Sequence, residues 1–247
     1  MIERIQKRTW AEIDLDAIRH NYTEIRRCLQ PETKLLCVIK ANAYGHGAER
    51  LAEEYSRLGA DWFAVSSIEE ALPLRAAGIS KPILILGYTP LEAADILTSQ
   101  NISQCVYSAE YARALSDAAT GQVKIHIKVD TGMSRIGFRS ADEIREACSL
   151  PKLVPEGVFT HFASADEGEN GDAFTKLQFE RFTHIVGESG VEFSLRHCCN
   201  SAGILDYPEY HLDMVRAGII LYGYQPSGAV RRRPDAGEAT PSLPAIQ

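Results

Sequence analysis

Five apolar residues, Leu35-Leu36-Cys37-Val38-Ile39, run directly into Lys40. If that run is a strand, the lysine stands at its carboxyl end. An amine there can form a Schiff base or act as a base. The bland alternative is a lysine snorkelling to solvent. Similar polar residues close later apolar runs: Lys128, with Arg135 a short loop away, then His161, then His197 with Asn200 and Ser201, then Arg216 ahead of Gly218 and Ile219. Each has an ordinary role of its own: His161 as a packed core histidine, Asn200 as a helix cap, Arg216 as an ion-pair former. Gathered at one mouth, they make a cationic, hydrogen-bond-rich cavity. Ser201 with the Gly218 and Ile219 amides suits a phosphate. A phosphate site beside a Schiff-base lysine points to pyridoxal phosphate.

The elements that must position these residues alternate. Strand patterns fall at 35–39, 62–66, 82–86, 104–107, 123–129, 157–162, 193–197 and 214–221. Helical patterns fall between most of them, at 48–58, 68–77, 91–98, 109–118, 141–149 and 173–188. Eight β units with helical crossovers predict a parallel α/β sheet, and eight is the number that closes a (β/α)8 TIM-like barrel. The alternative is an open doubly wound sheet; no GxGxxG follows the first strand, so its dinucleotide form lacks the phosphate turn. Ahead of the first strand, Leu15, Ile18, Tyr22, Ile25 and Leu29 mark one helix face behind a capping Asp14. Residues Trp10 to Ile13 read as a lone strand with no partner inside a barrel. The expected organisation is a barrel domain over 1–224, including that strand and helix. Residues 225–247, rich in Pro and Gly without periodicity, read as a linker or tail.

Composition removes other classes. The 247 residues carry 26 Lys+Arg against 33 Asp+Glu, a net charge of −7, with 24% charged and 45% hydrophobic residues. That is too apolar for disorder. The acidic balance argues against nucleic acid as a partner, and no apolar run is long enough to span a membrane. The six cysteines are irregularly spaced and read as free thiols in a reducing cytoplasm. His197-Cys198-Cys199 lacks the paired spacing of a metal site. The N-terminus has no apolar signal segment.

The residues also carry a resemblance. Cys37-Val38-Ile39-Lys40-Ala41-Asn42-Ala43-Tyr44-Gly45-His46-Gly47 resembles the cofactor-lysine signature of alanine racemases. Trp10–Leu15, His20-Asn21, Lys128–Phe138, Thr160–Ala163, Asn200-Ser201 and Asp213–Arg216 with Gly218-Ile219 resemble further motifs of that family, in order. The resemblance implies interconversion of L- and D-alanine for peptidoglycan precursors, in the cytoplasm, by a homodimer. Lys40 would hold pyridoxal phosphate and act as base on one face. Tyr44, Ser201, Gly218 and Ile219 would hold the phosphate, and Arg216 would face the pyridine nitrogen. Arg135 would bind the phenolic oxygen and orient substrate, His161 and His197 would pack around the ring and Arg216, Asn200 would belong to the cofactor site, and Lys128 is a candidate for carbamylation. The family carries a second, C-terminal β domain that supplies an opposite-face tyrosine across the dimer. None of the ten tyrosines here lies in that tyrosine's motif. The expectation is therefore a barrel without that domain, impaired alone. Two alternatives stay open: a non-catalytic single-domain pyridoxal-phosphate homeostasis protein, and a serine racemase of the glycopeptide-resistance type.

Overall fold

Strand one is apolar at every position because both of its faces are covered. In the computed structural model, which describes residues 11–231, Leu36 and Val38 pack inward with Trp62, Ala64, Leu84, Leu195 and Met214. Leu35, Cys37 and Ile39 point the other way, into a larger layer shared with the helices. The alternation is the period of two of a pleated strand, here buried on both sides.

The sheet has eight parallel strands: β1 (Lys34–Val38), β2 (Trp62–Val65), β3 (Ile83–Ile85), β4 (Ile102–Val106), β5 (Val123–Lys128), β6 (Leu153–Phe159), β7 (Leu195–His197) and β8 (Met214–Ala217). The order is β7-β6-β5-β4-β3-β2-β1-β8. Across the remaining edge, Asp213 N–H donates to Arg196 O (3.2 Å) and Arg216 N–H to Cys199 O (3.0 Å). These bonds bring β8 against β7, and the sheet is the expected TIM barrel, wrapped by helices.

Inward positions divide by chemistry along the barrel axis. Apolar Leu36, Trp62, Leu84, Leu195 and Met214 share the interior with buried His126, Lys128, His197 and Arg216. The opposite parity on β5, Val123, Ile125 and Ile127, belongs to the helix-facing core.

Several boundaries differ from the sequence expectation. β6 begins at Leu153 and ends at Phe159, because Pro155 and Glu156 interrupt its apolar pattern without ending it. β8 stops at Ala217; the chain then turns at Gly218 into a 3-10 helix, Ile219–Tyr222. The helix expected at 91–98 is a 3-10 turn, Leu91–Ala93, followed by Ala94–Ser99. The leading helix is Leu15–Arg27, and Asp14 caps it by accepting from Asp16 and Ala17 N–H (2.8 and 3.0 Å). Of the lone strand expected before it, Trp10 lies outside the described residues and Ile13 makes an isolated bridge. Residues 232–247 of the expected tail also lie outside them. Residues up to Arg231 run back over the barrel, where the Arg231 guanidinium pairs with Asp172 and its backbone N–H donates to Asp206 (3.0 Å). Among the described residues no helix is long and apolar enough to cross a membrane.

Candidate active site

The carboxyl ends of the strands open on a cavity of about 600 Å3. Lys40, Tyr44, Lys128, Arg135, His161, Asn200, Ser201, Arg216, Gly218 and Ile219 all line it, so the structure brings together ten of the eleven residues singled out from sequence. The eleventh, His197, lies fully buried behind Arg216. Sequence reasoning did not single out Val38, Leu86, Phe159 or Asp166, which also line the walls. Phe159 announces itself only as another core aromatic. In the fold its ring lies 5.4 Å from Lys128 Nζ and 5.3 Å from the Arg216 guanidinium, and it stacks on His197.

Lys40 leaves β1 into a turn wound against the usual hand. Ala41, Asn42, Ala43 and Tyr44 all have φ between 51° and 55°. Left-handed winding costs about 1–2 kcal/mol per residue, so something must hold it. Glu70 does much of this: its two carboxylate oxygens accept from Ala41 N–H (2.8 Å) and Ser66 N–H (2.7 Å). Asn42 Oδ1 accepts from Ala48 N–H (2.8 Å), and His46 bonds back to the Ala43 and Tyr44 carbonyls. The turn swings Tyr44 under the barrel mouth, where its ring packs on Tyr222 at 4.9 Å.

The Tyr44 hydroxyl, the Ser201 hydroxyl and Gly218 converge. Gly218 N–H donates to Ser201 Oγ (3.0 Å), and a Cβ on Gly218 would sit 3.2 Å from the Tyr44 oxygen. A side chain there would fill the cradle. Asn200 performs the cap expected of it, accepting from Gly203 N–H (3.0 Å), while its amide donates to Phe162 O.

The loop after β5 is closed on itself. Asp130 Oδ1 accepts from Gly132 and Ser134 N–H, and Oδ2 from the Arg139 guanidinium. Phe138 N–H donates to Lys128 O (2.9 Å) and Asp130 N–H to Phe138 O (2.9 Å). Gly137, at φ +134°, passes so close that a Cβ would sit 2.6 Å from Asp130 N. This fixed loop presents Arg135 to the cavity. The β6 loop is tied to it by Gln178, which donates to Thr131 Oγ1 and His161 O and accepts from Ala163 N–H.

Charge is the site's dominant property. Lys40, Lys128, Arg135 and Arg216 face one space whose lining, among the described residues, holds a single carboxylate, Asp166. Burial, then the charge of Arg216, pulls Lys128 down to about 7, and burial pulls Arg216 down to about 10. Burial and Arg216 hold His161 and His197 well below the usual imidazole range, so both are neutral near pH 7. Such a cavity favours an anion with several oxygens. No cluster suited to a metal ion occurs among the described residues.

A family model described as "Alanine racemase, N-terminal domain" matches residues 13–226. The chain belongs to the alanine racemase family. An alanine racemase of Desulfovibrio desulfuricans is 52% identical over 228 residues, covering 88% of this chain and 61% of that protein. A solved alanine racemase of Clostridium difficile superposes with a TM-score of 0.90 at 39% identity, covering 98% of this chain and 68% of that one. A histidine racemase of Leuconostoc mesenteroides superposes with a TM-score of 0.84 at 31% identity, over 96% of this chain and 63% of that one. The chain spans about 60% of the length of the curated alanine racemases it matches.

Proposed function

We propose that this chain is the pyridoxal-phosphate-binding barrel of an alanine racemase and that it holds the cofactor on Lys40. The observation that carries the reading is the cradle of Tyr44, Ser201 and Gly218 in the same cavity as Lys40. Glycine at 218 leaves the approach between the Tyr44 and Ser201 hydroxyls open to a phosphate, and four cations match its charge and a substrate carboxylate. When bound, the cofactor supplies the electron sink that lets an amino acid lose its α-proton.

The chain's own residues divide the remaining work. Lys40 Nζ is the attachment point and, once released, the amine that moves the α-proton on its face. Arg216 would face the ring nitrogen; its guanidinium holds its protons too tightly to lend one, which would keep the ring a restrained sink. Arg135 would steer the substrate carboxylate, and His161 and Asn200, which line the same cavity, would pack beside the ring. Lys128, at about 7, is partly neutral near pH 7. Its amine nitrogen can add to the carbon of CO2 and lose a proton, giving a carbamate that would offset Arg135 and Arg216. A proton group on the opposite face is also required. We assign it to the part of the longer relatives that this chain does not span, presented by a second copy. The substrate is alanine, and the histidine racemase likeness makes serine and histidine the informative comparisons.

The test is cofactor titration of the chain and of Lys40→Ala, followed by borohydride trapping. The expected result is an absorbance shifted to longer wavelength than that of free cofactor and a trapped adduct on Lys40 in the parent, and neither in the variant. The loaded parent should also exchange the α-deuterium of D-alanine faster than that of serine or histidine. Equal binding by Lys40→Ala would overturn the reading.

A further inference from the structure

Arg216 has no carboxylate against it. Its guanidinium donates to His197 Nδ1 (2.8 Å) and to the carbonyls of Thr160 (2.8 Å), His197 (3.1 Å) and Cys198 (3.0 Å), with His161 Nδ1 at 3.4 Å. Arginine has donors only. His197 must therefore accept at Nδ1 and carry its proton on Nε2. Nε2 lies 3.0 Å from His126 Nδ1, so His126 must accept there and carry its own proton on Nε2. That proton points down the barrel, toward Glu156 Oε2 at 3.6 Å. Each polarity follows from the one before; the hydrogen-bonded chain ends at His126 Nε2, buried and facing the Glu156 carboxylate across 3.6 Å, just beyond hydrogen-bond distance.

Three separate features of β6 serve this ending. Ile125 pairs with Pro155 and His126 with Gly157, so Glu156 is the extra residue of a β-bulge. Bulges re-aim side chains, and this one turns Glu156 into the barrel, where it accepts from Ser103 Oγ (2.6 Å) and lies 3.6 Å from Lys124 Nζ. Gly157 has no side chain where His126 lies; a Cβ there would overlap the imidazole. The Trp62 ring meets His126 edge-on at 5.3 Å and fixes its plane.

We infer that Glu156, at the far end of the barrel from the cavity, is a positioning residue for Arg216, acting through His126 and His197 by reinforcing from the opposite end the imidazole tautomers that Arg216 imposes. This builds on the cofactor reading above, in which Arg216 faces the ring nitrogen. The effect on the carboxylate agrees: burial alone would raise Glu156, yet His126, Ser103 and Lys124 bring it below its usual range.

The test uses the full chain in two arms. Long-range 1H–15N correlation of the cofactor-free chain should show both His126 and His197 protonated at Nε2 and bare at Nδ1. Glu156→Leu should lose the single His126 tautomer, while Glu156→Gln, which keeps an acceptor, should retain it. In the second arm, pyridoxal phosphate affinity should fall roughly 2- to 30-fold in Glu156→Leu, with a shifted visible absorbance, and recover in Glu156→Gln. A proton on Nδ1 of either histidine in the parent would overturn the inference, as would unchanged affinity in Glu156→Leu or equal loss in both variants. If Glu156→Leu does not fold, the parent spectrum and Glu156→Gln decide. If the parent binds no cofactor, the proposed function fails and the tautomers alone decide this inference.

Discussion

Lys128 is where burial and charge oppose function-ready placement most strongly. Its folded value of about 7 lies below the ordinary lysine range. The folded chain therefore binds this proton more weakly than the unfolded chain does. Below about pH 7 the penalty is complete; it fades as pH climbs toward the unfolded value near 10.4. Lys128→Met should stabilise the cofactor-free chain near pH 7 by on the order of 4 kcal/mol, and the gain should shrink steadily toward pH 10. Denaturant melts of both proteins across that range check the sign. At this scale the sequence was readable wherever a polar residue closed an apolar run, as at Lys40, Lys128 and Arg216. It was unreadable where a residue's meaning depends on what faces it. Glu70 reads as an ordinary acidic residue in the first turn of a helix, and nothing local says that its carboxylate bonds the amide next to Lys40. His126 and Glu156 likewise look like alternating strand polars until the barrel closes around them.

At the scale of elements, the left-handed turn and the β5 loop are the two segments that depend on compensation. Removing the Glu70 carboxylate leaves the Ala41 and Ser66 amides without it. Glu70→Ala should cost about 1–3 kcal/mol and slow borohydride trapping of cofactor on Lys40, which stopped-flow absorbance can follow. Gly137→Ala asks an L residue to hold φ +134° with its Cβ against Asp130 N, so we expect a loss of about 3 kcal/mol or more and weaker binding through Arg135. Periodicity located most helices well, since an amphipathic face is a local property. It misplaced β6 and ran β8 through Gly218. Neither a bulge nor a strand-to-3-10 transition leaves an apolar signature of its own.

Across the whole molecule, the eight-fold count of units was enough to predict closure, but the quality of the seam was not. Seven strand pairs have ladders, while β7 and β8 meet through a few backbone bonds and the Asp213 carboxylate, which accepts from Arg196 N–H (2.8 Å) and Nε (2.9 Å). Asp213→Ala should destabilise the chain by about 1–3 kcal/mol. Amide exchange should accelerate selectively in β7 and β8, measured by hydrogen–deuterium mass spectrometry.

That seam also runs through the proposed ligand site, because Ser201 follows β7 and Arg216 and Gly218 belong to β8 and its exit. A molecule gripped by both sides acts as a staple across the thinnest join of the barrel. Thermodynamic linkage then couples persistence to supply: at a hundred times its dissociation constant, such a ligand adds about 2.7 kcal/mol to the folded state. The proposed cofactor, held in this way, would make the folded fraction of the chain track the cofactor's free concentration.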